Sequence, residues 1–381
     1  MKRFLLIQAL GLISFAAVSQ PFTAFIRRAW EIPENARQEA VDRYMGGQAS
    51  LPLTEADSTC TFVYLGQASS VSVAGDFTGW KAGMMLMKNL AGTTLWYSTC
   101  HFEPDARLDY KIVVNDTAWM LDPGNSHTCK SGFGTNSELR MPRYTVPPET
   151  VPDPSVPAGT ILDTVFRSAR MNNEREVKIY LPAGYPAPGT TYPVILFHDG
   201  IEFLPLGGAG IILDNMIARK QIRPVIALFI APVQRDVEYS GSLRDDYAYF
   251  LASELMPAVD RRFATSKDPA LRAELGISNG GNIALYSGMK NPECFGKIAA
   301  LSSNIIPEIS DRFRRKPKLN LEIYLDIGTY DIDILIPMVE SFAGILEDKG
   351  YDFHFYRWHE GHSWGNWKGH LGVALKQFFP Y

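Results

Sequence analysis

A serine between two glycines, Gly276-Ile277-Ser278-Asn279-Gly280, is the first group in this chain whose setting could do chemistry. The run AELGI leading into it is strand-like and GGNIALYSGMK after it is helix-like, so the chain turns there from strand to helix. Such a turn strains the backbone at Ser278, and side chains at positions 276 and 280 would collide with it, a mechanical reason for both glycines. The hydroxyl would stand at a helix N-terminus, where the Asn279 amide and the helix dipole favour a developing oxyanion.

A nucleophilic hydroxyl needs a base, and the base needs an acid; one recurrent chain order is serine, acid, histidine. Of the seven histidines, four follow Ser278. His354 lies in the alternating strand DFHFYRW and His370 in the helical tail WKGHLGVALKQFF, and both read as packing residues. His359 and His362 share HEGHSWGNW; His362 is the preferred base, because a glycine precedes it and a helix follows, whereas His359 still belongs to the strand end. HEGH lacks the i, i+4 spacing of a zinc-protease pair, and no metal is expected. The acid must come between, at a strand's carboxyl end. LEIYLDIGTYDID offers Asp326, Asp331 and Asp333, and Asp331 is preferred because it follows Gly328-Thr329 into the loop while Asp326 alternates with Tyr324 inside the strand. A second oxyanion donor is expected after the strand YPVILFHDG, at the amide of Ile201 or Gly200, with His198 bracing that loop.

The elements that must position these groups follow from periodicity. Behind residue 159, apolar runs (VKIYLP, YPVILFHDG, VIALFIAP, AELGIS, KIAALS, LEIYLDIG, DFHFYRW) alternate with helical patterns such as DDYAYFLASELMPAVDRRF, which argues for parallel strands with crossover helices over residues 159–381. Over 58–143, the short segments TFVYLG, SVSVAGDF, TLWYSTCHF and LDYKIVVND, separated by Gly, Asn and Asp turns, predict an antiparallel β-sandwich. Between them, from Met141 to Gly159, six prolines mark a linker or a strap on a surface, assigned to 144–158. Residues 20–57 read as a partly helical segment.

A chain of 381 residues is long enough for two cores, and 46% hydrophobic with 20% charged residues is a globular composition. A net charge of −4 gives no electrostatic footprint for nucleic acid. The opening MKRFLLIQALGLISFAAVSQ, with Lys2 and Arg3 before an apolar run and small residues at Ala17 and Ser19, has the layout of a secretory signal peptide over 1–19. Gln8 interrupts a run already short of the roughly 20 apolar residues of a spanning helix, so a periplasmic or secreted location is expected rather than a stable membrane span. Cys60, Cys100, Cys129 and Cys294 form no CxxC pair; a bridge among the first three is open, and its pairing is not separable by sequence.

From about Gly159 to Tyr381 the chain resembles the α/β-hydrolase esterases that include the enterochelin esterases and carbohydrate esterase family one, which holds feruloyl and acetylxylan esterases. The likeness runs in order through VKIYLPAGY, YPVILFHDG, APVQRDVEY, SELMPAVDRRF, GISNGGNIALY, ALSSN, DIGTYD and GHSWGNW. It implies an α/β-hydrolase fold, a mostly parallel sheet flanked by helices, with Ser278 as nucleophile, Asp331 as acid, His362 as base and no cofactor. It also marks Arg235 and Glu238 of QRDVEY, and Trp364 of the GHSW loop, as candidate substrate contacts; an ion pair holding a loop is the other reading of Arg235 and Glu238. Where that family often shows Ser-Gly after the nucleophile helix, this chain has Ser302-Ser303.

From Thr61 to about Met141, VSVAGDFTGWKAGMMLMK, LDYKIVVNDTAWMLDPGN and GTNSELRM resemble the early-set, immunoglobulin-like β-sandwich of glycogen-binding carbohydrate modules. In that family two tryptophans and a lysine meet a glucan; the matching positions are Trp80, Trp119 and Lys111, with sealing of the sandwich as the plainer role. The two resemblances together imply an exported serine esterase acting on feruloyl or acetyl groups of plant polysaccharide, with glucan as a further partner of the sandwich. A siderophore trilactone of the enterochelin type is the rival substrate. A glycan-binding protein with a degenerate hydrolase domain is the rival class.

Overall fold

The computed structural model describes residues 20–381; the expected signal segment lies outside the described residues. Helices α1 (Phe22–Glu31) and α2 (Glu34–Met45) each follow a proline that sets an extended entry. Phe22, Phe25, Ala29 and Val41 of this pair pack with Val63, Leu90 and Leu95, so the segment from residue 20 to 45 is a helical hairpin docked on the sheet that follows.

Ten strands build the first domain: β1 (Leu53–Glu55), β2 (Thr59–Leu65), β3 (Val71–Gly75), β4 (Met85–Leu86), β5 (Lys88–Asn89), β6 (Leu95–His101), β7 (Arg107–Val114), β8 (Ala118–Met120), β9 (Thr128–Ser131) and β10 (Gly134–Arg140). They form two antiparallel sheets, β1-β2-β6-β5 and β4-β3-β7-β10-β9, with β8 beside β7. The period-two alternation of β7 sends Leu108, Tyr110, Ile112 and Val114 into the core with Phe62 and Val73, and leaves Arg107, Asp109 and Lys111 on the outer face. Cys60 and Cys100 stand opposite each other on β2 and β6, and all four cysteines are free thiols. The proline-rich stretch is a strap: Asn215 Nδ2 donates to Glu149 O and Val151 O, both at 2.9 Å.

The second domain is an eight-stranded sheet of β11 (Thr160–Ser168), β12 (Asn173–Leu181), β13 (Val194–His198), β14 (Ile226–Ile230), β15 (Arg272–Ile277), β16 (Lys297–Leu301), β17 (Glu322–Tyr330) and β18 (Asp352–Gly361), in the order β11-β12-β14-β13-β15-β16-β17-β18. Helices α3 (Gly200–Phe203), α4 (Ala209–Ala218), α5 (Arg235–Tyr239), α6 (Arg244–Tyr249), α7 (Met256–Arg262), α8 (Asn279–Lys290), α9 (Pro307–Arg315), α10 (Leu335–Asp348) and α11 (Trp364–Phe378) connect them. β13, β14 and β15 are buried along their whole length, which requires cover on both faces. α5 to α10 supply one layer and α3, α4 and α11 the other.

The sheet is mostly parallel, as expected, and becomes mixed at one edge. β11 pairs antiparallel with β12, and β12 antiparallel with β14. The four residues 169–172 between β11 and β12 allow a hairpin but not a crossover. β13 to β18 are parallel, so their carboxyl ends share one edge. Among the described residues no helix is long and apolar enough to cross a membrane.

Candidate active site

β15 ends at Ile277 and α8 begins at Asn279, which isolates Ser278 at φ 52°, ψ −122°, a conformation that costs any residue with a Cβ. The elbow is tight: a Cβ on Gly276 would lie 2.1 Å from Gly280 O. Ser278 N donates to Leu301 O at 2.9 Å and so ties the elbow to β16. Ser302, in the chain's departure from Ser-Gly, adopts φ 47°, the region glycine favours.

Asp199, at the end of the neighbouring β13, also has positive φ, and Gly200 is pressed on β14, where a Cβ would sit 2.2 Å from Ile230 N. As first residues of α3 and α8, Gly200, Ile201 and Asn279 have N–H groups without an intrahelical acceptor. The two helix starts adjoin, since Asp199 Oδ2 lies 3.0 Å from where a Cβ of Gly280 would be.

The register of β17 and β18 shifts between Gly328 and Tyr330, and the loop that follows delivers Asp331. Asp331 Oδ1 meets His362 Nδ1 at 2.8 Å and accepts from Ile332 N at 2.7 Å. Trp367 stands perpendicular to the imidazole, 4.9 Å between centroids. With the carboxylate on Nδ1, the ring is held in the tautomer that leaves Nε2 free to take a proton. Among the described residues no hydrogen bond joins Ser278 Oγ to the imidazole; such contacts tighten when substrate enters.

The other candidates lie elsewhere. Asp326 is buried, accepting from Tyr324 Oη at 3.0 Å and Ser302 N at 3.2 Å, and burial pushes its carboxyl up to about 6. Asp333 is exposed. His359 Nδ1 meets Asp105 of the first domain at 2.7 Å. His370 meets Glu360 at 2.9 Å and stacks on Trp358, and His198 is buried between Glu274 and Tyr247. His354, expected to pack, is exposed on the edge strand β18.

Two of the candidate substrate contacts have internal partners instead, and for Glu238 the ion-pair reading describes what is seen. Glu238 is fully buried and accepts from Arg175 Nη1 at 2.9 Å and Nη2 at 3.2 Å, so its carboxylate is taken up by an internal ion pair. Trp364 is only 8% exposed and packs edge-on against Phe203 and Trp367. Arg235 forks onto Asp199 at 2.8 and 2.7 Å and braces the loop ahead of Gly200. Glu238→Ala would leave Arg175 charged and unpaired in the core; we expect a loss of about 3–5 kcal/mol in urea unfolding, with KM unchanged in the folded fraction. A raised KM at unchanged stability would contradict the assignment.

The first domain comes close to the base loop. A Cβ on Gly361, next to His362, would sit 2.1 Å from Asp76 Cγ. Asp76 accepts from Trp80 Nε1 at 3.0 Å and Asp109 N at 2.8 Å, and burial together with the Asp109 carboxylate pushes it up to about 8. Tyr330 Oη donates to Glu103 at 2.6 Å. Lys111 and Trp119 belong to the same outer face, Trp119 opposite Val113 and 44% exposed. No local pattern signals the two contacts between domains, Gly361 with Asp76 and Tyr330 with Glu103, because each pair is more than 200 positions apart.

With Ser278, Asp331 and His362 gathered at the carboxyl edge of the parallel strands, comparison with known proteins decides the class. The Esterase family model matches residues 168–378, more than half of the chain. The chain belongs to the Esterase family. It is a carboxylic-ester hydrolase. An endo-1,4-beta-xylanase/feruloyl esterase of Xylanibacter ruminicola is 26% identical over 240 residues, 59% of this Esterase chain and 32% of that protein. The iron(III) enterobactin esterase of Escherichia coli O6:H1 is 26% identical over 249 residues, 57% of this chain and 60% of that one. The solved ferric enterobactin esterase of Salmonella typhimurium superposes with a TM-score of 0.74 over 90% of this chain and 98% of its own, at 20% identity, which speaks for the fold.

Proposed function

We propose that this esterase works through Ser278, His362 and Asp331 by way of an acyl-enzyme, and that its substrates are feruloyl or acetyl esters on plant polysaccharide. The 2.8 Å bond between His362 and Asp331, on the same strand edge as the Ser278 elbow, carries the mechanistic half. His362 Nε2 takes the Ser278 proton as Oγ attacks the ester carbonyl. The amides of Asn279 and of Ile201 or Gly200 hold the oxyanion, and the imidazolium returns the proton to the departing alcohol. Water, deprotonated by the same imidazole, then attacks the acyl-enzyme, and Ser278 leaves with the proton.

The outer face of β7 supports the substrate half. The open part of this face is shorter than the strand: Arg107, Asp109 and Val113 are buried, Lys111 and Trp80 are half-buried, and Trp119, opposite Val113, is 44% exposed. Flat indoles and an ammonium along such a track suit sugar rings and hydroxyls. On this reading the first domain is an early-set carbohydrate module and the protein is exported to the periplasm or beyond. The likeness of both domains to an enterobactin esterase favours a siderophore trilactone as the second reading.

Purified protein assayed on feruloylated arabinoxylan oligosaccharide, methyl ferulate and enterobactin separates the two. We expect the oligosaccharide to have the highest kcat/KM and Trp119→Ala to reduce its advantage over methyl ferulate several-fold. Preference for enterobactin, unaffected by Trp119→Ala, would replace the glycan with the trilactone.

A further inference from the structure

Arg107 belongs to the first domain, yet its buried guanidinium ends against the loop that carries the base. Nη2 donates to Asp109 at 2.6 Å and Nε to Glu138 at 3.0 Å, both in its own domain. Nη1 crosses to the hydrolase: it donates to Ser363 Oγ at 3.1 Å and faces Glu360 Oε2 at 3.5 Å. Glu360 and Ser363 flank Gly361-His362, so one guanidinium group touches the chain on both sides of the imidazole. Ser363 Oγ also accepts from Asn366 N at 3.4 Å, which joins the contact to the start of α11. Glu360 is anchored through Oε1 to His370. The guanidinium rests directly on the first turn of α11, where a Cβ on Gly365 would lie 2.0 Å from Cζ.

We propose that Arg107 is a positioning residue for the base: through it, the first domain sets where His362 presents Nε2 to Ser278. A guanidinium is a rigid, planar fork, so contacts at positions 360 and 363 remove the freedom of the loop to pivot about either one. Displacing a reacting group by about 1 Å can cost on the order of 100-fold in rate, so this restraint bears on catalysis. Holding two domains together does not by itself call for a buried cation, because apolar residues of the same volume would do so without its desolvation penalty. Asp109, Glu138 and Glu360 around Arg107 offset that penalty, and the result is a fixed point beside the base.

The proposal rests on the reading of His362 as base, and its test separates the two. Arg107→Met removes the fork; Gly365→Ala displaces it from the hydrolase side while replacing a helical glycine with the better helix former. For both we expect a folded protein whose kcat on p-nitrophenyl acetate falls at least about tenfold with KM within about threefold, and a shifted or lost His362 Nδ1 proton resonance in 15N-resolved NMR. If Arg107→Met does not fold, Gly365→Ala decides. A kcat within about twofold of wild type in a folded variant, or a change confined to KM, would overturn the positioning role. If the wild-type protein hydrolyses no ester, the reading of the base fails instead. The imidazole resonance then decides on Arg107 alone, and an unchanged signal would overturn its role.

Discussion

Ser278→Ala is expected to leave a folded protein whose kcat on p-nitrophenyl acetate is lower by about a thousandfold or more, down to what the oxyanion amides and binding sustain. Alanine keeps the Cβ, so the elbow at φ 52° is no more strained than before, and the backbone bond from residue 278 to Leu301 O does not involve the hydroxyl. Thermal melting should therefore coincide with wild type. The lost group is the one atom from which the acyl bond forms. A residual rate within tenfold of wild type would place the nucleophile elsewhere.

The second large effect concerns the acid. Asp331→Asn preserves shape, but the amide either carries no charge to stabilise the imidazolium or turns its NH2 toward Nδ1 and favours the wrong tautomer; a fall in kcat of about 10³–10⁴ is expected. Asp333 is exposed, and Asp333→Asn should leave the rate within about twofold of wild type. Asp326 is buried under Tyr324 and Ser302, so its replacement should reach stability before rate. Steady-state kinetics on the three variants distinguish the acids, and a larger loss for Asp326→Asn than for Asp331→Asn in folded protein would reverse the assignment.

What the sequence reveals follows the range of the interaction. The elbow is legible because its main cause is local: a Cβ on Gly276 would strike Gly280 O four residues on, although the tightness at Gly280 comes from Asp199 on another strand end. Asp331 and His362 can be chosen because both follow strands in a known order, and strand ends are set by nearby apolar runs. Glu238 misleads because its partner, Arg175, is 63 positions away in a strand whose alternation says nothing about pairing. Trp364 misleads in the same way, since Phe203, which covers it, comes from α3, far back in the sequence. The helix α2 is faint because its sequence buries only Val41 and so has almost no apolar stripe. Arg107 reads as an ordinary strand residue, and only the docking of the two domains brings it to Ser363.

A covalent trap tests the role of Ser278 most directly. Treating the wild-type protein and Ser278→Ala with a fluorophosphonate and mapping the adduct by peptide mass spectrometry should place one phosphonyl group on Ser278, with none on the variant. Full ester hydrolysis by an unlabelled protein, or an inactivating adduct on another residue, would contradict the assignment of Ser278 as the nucleophile.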